Sequence, residues 1–104
     1  MNHTRYLAFR SATRTLERTP DWLLDAHERE RLRDIAEALL LTPDGDEAER
    51  LRRDAALALS LLVGQQRLDD ARADALWRQI SGCGPPEAGG SFARSSALAF
   101  AGHL

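Results

Sequence analysis

The chain has 104 residues, 43% of them hydrophobic and 29% charged, and a formal net charge of -2. That length fits one domain with a limited core, and the composition excludes wholesale disorder. No apolar run approaches the roughly 20 residues of a membrane span, and the slight acidity argues against general affinity for nucleic acid or anionic lipid.

The first element expected is a helix over about Thr4 to Arg18, where Tyr6, Phe9, Thr13 and Leu16 recur at helical spacing. Thr19-Pro20 ends it. Thr19 can then cap a short helical turn with Pro20 at its first position and Asp21 in the favourable field of the dipole, carrying Trp22, Leu23 and Leu24. Trp22 and Trp77 each fall on an apolar face, which predicts that both anchor the core.

Asp25 and Glu28 have the spacing of a capping box, so the main helix is expected to re-start or run on there and to reach Leu41. Its buried stripe is Leu32, Ile35, Ala36, Leu39 and Leu40. Thr42-Pro43-Asp44-Gly45 is a turn, with Asp46 to Glu49 offering a cap. A third helix follows over about Glu47 to Val63, with Ala48, Leu51, Ala55, Ala58, Leu59 and Leu62 on one face. Asp46 with Arg50, Glu49 with Arg53 and Arg50 with Asp54 stand four apart on its polar side, as Asp74 and Arg78 do on the next helix, and Glu30 with Arg33 and Arg33 with Glu37 stand at supportive spacings on the helix before. Leu57 and Leu61 lie off the apolar stripe, so the second half of this helix is apolar nearly all round and is expected to be central or to form an interface.

Gly64 suits a position just past a helix end. Asp69 or Asp70 then begins a fourth helix with Ala73, Leu76, Trp77 and Ile80 inward and Gly82 as its stop. Short connections imply antiparallel neighbours. The fold class expected is therefore all-α, a small antiparallel bundle of about four helices over residues 1-83. A Gly/Pro-hinged tail or short fifth helix occupies 84-104, where Phe92, Leu98 and Phe100 could dock into an apolar groove.

Cys83 is the single cysteine, which rules out an intrachain disulfide and, within one subunit, a four-thiolate zinc site, and suggests a reducing cytoplasm. It stands beside glycines with no base placed near it, and reads as structural. Arg31 occupies the place where a zinc-protease motif beginning at His27-Glu28 needs a second histidine. No Glu-x-x-His pair provides a di-iron site, and Gly82, Gly84, Gly89 and Gly90 read as hinge and cap rather than as a phosphate loop. No catalytic residue, metal or cofactor is assigned, and an enzyme is not expected.

All fourteen basic residues are Arg, which reads as the codon usage of a GC-rich, bacterial genome. Four of them, Arg5, Arg10, Arg14 and Arg18, form a basic stripe on the first helix. Residues 1-18 hold four Arg against one Glu, net +3, whereas the rest holds ten Arg against fifteen acids, net -5. Tyr6-Leu7-Ala8-Phe9 is cut by Arg10 far short of a secretory signal, and the transit-peptide-like composition of 1-18 has no such meaning in a bacterium. Helices three and four make a poor DNA reader, because Asp69, Asp70 and Asp74 would face the phosphates.

The function expected is a non-catalytic protein-interaction module, a small cytoplasmic regulator or adaptor that self-associates as a homodimer and has no membrane partner. Its candidate partner-binding residues are the stripe Arg5, Arg10, Arg14 and Arg18 and the apolar set Leu57, Leu61, Phe92, Leu98 and Phe100. The alternative is a nucleic-acid-associated regulator using the basic helix, and a weaker one is a carrier or sensor of an apolar small molecule.

Overall fold

The computed structural model describes residues 3–85. Four helices make up this part: α1 (His3–Arg18), α2 (Ala26–Leu41), α3 (Gly45–Gly64) and α4 (Asp70–Ser81). Each packs on its neighbours in the ring α1–α2–α3–α4–α1, and α2 also meets α4 across the middle. The helices thus run up and down, as the short loops require, and α1 and α3 stand on opposite corners.

The helix starts are set by acidic caps. Asp25 accepts the Glu28 amide while Glu28 Oε1 accepts the Asp25 amide, completing the expected capping box at 2.8 and 3.0 Å. Asp44, rather than Asp46, caps α3 and thereby draws Gly45 and Asp46 into its first turn. Asp69 caps α4 through the Arg72 amide. At the other end of α3, Gly64 is the last helical residue and Gln66 takes the left-handed turn at φ 60, where a glycine would be unstrained.

The core is continuous: Leu16, Leu24, Leu32, Leu39, Leu59, Leu76 and Ile80 are fully buried. Ala12, Ala36, Ala48, Ala55 and Ala73 are buried to the last atom as well, and such small side chains let the axes approach closely. On α1, Ala12 and Leu16 carry the packing and Phe9 is partly buried, while Tyr6 stays 43% exposed at the end of the face expected to pack.

Three expectations need correction. Trp77 is buried, but Trp22 is 76% exposed: the amides of Leu23 and Leu24 both donate to Pro20 O, and this tight turn sends Leu23 and Leu24 inward and leaves the preceding side chain outside. Leu57 and Leu61 are not central, being 63% and 62% exposed; α3 turns Ala48, Ala55, Leu59 and Leu62 inward, and these two lie on its far side. Gly84 is no hinge, because it is buried, with space for a Cβ blocked by Leu39 Cδ2 at 2.8 Å and Arg52 Nη2 at 2.9 Å.

Candidate functional site

The basic stripe divides in two. Arg5 leaves it: its guanidinium donates to Cys83 O at 2.8 Å, Leu39 O at 2.8 Å, Leu40 O at 3.1 Å and Thr42 O at 2.9 Å. These are carbonyls at the C-termini of α2 and α4, where a helix leaves acceptors unpaired and the dipole favours a cation. Arg29 does the same for the end of α1, donating to Leu16 O, Thr19 O and Leu24 O and pairing with Asp21 at 3.0 Å. Arg52, 5% exposed, donates to Ser81 O and Oγ and to Pro85 O. At these three sites the planar fork does work that a lysine could not repeat, so codon usage alone does not explain them.

Arg10, Arg14 and Arg18 remain on the outer face of α1, exposed and with no ion pair among the described residues. Steps of four residues separate them by about 6 Å along the axis. On the α2 side of the helix, between α1 and α2, runs an open groove of about 330 Å³ with Glu17, Glu30, Asp34 and Glu37 on its walls, together with Arg29 and Arg33, while Arg18 also lines the cleft on the α4 side, with Arg72. Because Arg29 is engaged with backbone carbonyls, the groove is acidic in balance. None of Glu30, Asp34 and Glu37 makes an ion pair among the described residues.

Leu57 and Leu61 lie one turn apart on the outer face of α3, diagonally opposite α1. Phe92, Leu98 and Phe100 lie outside the described residues. The surface feature that sequence periodicity missed is Trp22; its apolar neighbours Leu23 and Leu24 suggested burial, and only the turn geometry distinguishes the three. Of the pairs expected on the helix surfaces, all among the described residues, Glu49–Arg53 and Asp74–Arg78 form, at 3.5 and 2.8 Å, whereas Glu30–Arg33, Arg33–Glu37, Asp46–Arg50 and Arg50–Asp54 do not.

Cys83 is wholly buried, its Sγ 3.4 Å from Gln79 O, and burial pushes its thiol up to about 12 despite the opposing pull of Arg5 and Arg52. A neutral, inaccessible thiol is not a nucleophile at neutral pH. His3 and His27 are exposed and separate, and no cluster of three or more His, Cys, Asp or Glu with metal-binding geometry occurs among the described residues. No described helix is long and apolar enough to cross a membrane.

Comparison with protein-family models, curated proteins and solved structures finds no match to this chain.

Proposed function

We propose that this protein is a non-catalytic interaction module, a small regulator or adaptor that presents helix faces to a protein partner. The observation that carries the reading is the pair Leu57 and Leu61: the core is closed without them, yet both stand about two-thirds exposed on one face of α3. Two leucines at i and i+4 make an apolar ridge of the kind that fits the groove between a partner's helices. Trp22, more exposed still, offers a second anchor of the residue type that most often dominates interface energy. A cytoplasmic setting is part of this proposal.

The test is to compare, in cells of the source, proteins cross-linked to tagged full-length chain with those cross-linked to a Leu57→Ser/Leu61→Ser variant of equal abundance and helicity. A protein retained by the first and lost from the second, and then shown to bind the purified chain directly, is the expected result. An unchanged set of cross-linked proteins would remove the α3 face from the reading.

A further inference from the structure

The outer face of α1 and the groove beside it carry opposite charge in matched spacing. Arg10, Arg14 and Arg18 advance in steps of four, while Glu30, Asp34 and Glu37 advance in steps of four and three along α2. Both sets are exposed, and neither makes an ion pair among the described residues. Within one molecule they do not meet, since the arginines stand on the outer face of α1.

We infer that this surface takes a second copy of the chain, α1 of each copy lying along the α1–α2 groove of the other. About a two-fold axis parallel to the helices, the partner's α1 runs parallel to α1 and therefore antiparallel to α2. In that direction the partner's Arg10 falls opposite Glu37, the partner's Arg14 opposite Asp34 and the partner's Arg18 opposite Glu30. The contact is isologous, so every pairing occurs twice and the arrangement closes at two copies. Arg33, on the groove wall, and Glu17, beside the stripe, set the limit of the match: each is a like charge to the row that it faces, and the balance is carried by the other positions.

A second copy fits better than a foreign occupant, because one operation covers both the basic row and the acidic row. A nucleic acid would satisfy the arginines but bring its phosphates against Glu30, Asp34 and Glu37. The contact uses α1 and α2 and does not include Leu57 and Leu61 on the outer face of α3, so it stands or falls separately from the proposed partner surface.

The experiment is the solution mass of the full chain by light-scattering chromatography at about 50 mM and about 500 mM salt, since exposed pairs are screened at the higher value. The expected result is twice the chain mass at low salt and a shift toward the chain mass at high salt. Arg14→Glu and Asp34→Arg should each weaken the dimer by about tenfold or more, every change counting at two symmetric sites, and the double variant should restore it. Circular dichroism verifies that these exposed substitutions leave the bundle intact. A monomer at both salt concentrations, a dimer indifferent to salt and charge reversal, or failure of the double variant to recover would overturn the inference. So would a monomer that binds a duplex oligonucleotide through Arg14.

Discussion

Arg5 and Cys83, 78 positions apart, are joined by a 2.8 Å hydrogen bond from the guanidinium Nε to the Cys83 carbonyl, and the same side chain holds three carbonyls at the end of α2. One side chain thus fastens α1, α2 and the segment after α4 at the same end of the bundle. The geometry explains why Arg5 is half-buried while the three arginines that follow it on α1 are exposed.

Arg5→Lys should therefore destabilise the protein although it keeps the charge. An ammonium has three donors on a tip that cannot span carbonyls from two helix ends, and the acceptors left behind are partly buried. A cost of about 2 kcal/mol is expected, to be read as a lowered midpoint in urea unfolding. Arg10→Lys, on the exposed face of the same helix, should lie within about 0.5 kcal/mol of wild type.

Cys83 predicts a specific alkaline weakness. Its folded-state pKa, raised to about 12 from 9.0, means that the buried thiol's contribution is intact below pH 9 and is lost as pH rises toward 12, because the unfolded chain ionises first. Unfolding free energy should fall across that window by up to about 1.4 kcal/mol per pH unit more steeply in wild type than in Cys83→Ala. Equal slopes for the two proteins would show that the thiol titrates normally. At neutral pH, alkylation of Cys83 should require unfolding of the segment.

Gly84→Ala should also destabilise, by about 1–3 kcal/mol. The added methyl would stand 2.8 Å from Leu39 Cδ2 and 2.9 Å from Arg52 Nη2, and Arg52 cannot swing away without breaking its bonds to Ser81 and Pro85. Thermal unfolding measures the loss; a variant as stable as wild type would mean that this packing is loose.

Much of the bundle was legible in the chain because local rules act over three or four residues. Asp25 and Glu28 specify a helix start, Leu32 to Leu40 specify a buried stripe, and Thr42 to Gly45 specify a turn. What was not legible depends on residues far apart in sequence. Nothing near Arg5, Arg29 or Arg52 distinguishes them from Arg10 or Arg53; they are set apart by carbonyls that lie up to 78 positions away. Trp22 and the α3 leucines failed for a different reason. An apolar residue at helical spacing is read as core, and periodicity cannot tell which of two apolar faces a four-helix ring has room to cover. For the candidate surface, the charge row on α1 was visible, whereas its acidic counterpart emerged only when α2 was placed beside it.

The measurement that bears most directly on the central claim is equilibrium unfolding in urea of the full chain and of Leu57→Ser/Leu61→Ser. If these leucines are displayed for a partner, the double variant should keep the wild-type stability to within about 0.5 kcal/mol, with an unchanged m-value. A loss of about 4 kcal/mol or more, the cost expected when two leucines leave a core, would show that they hold the fold together and would contradict the account.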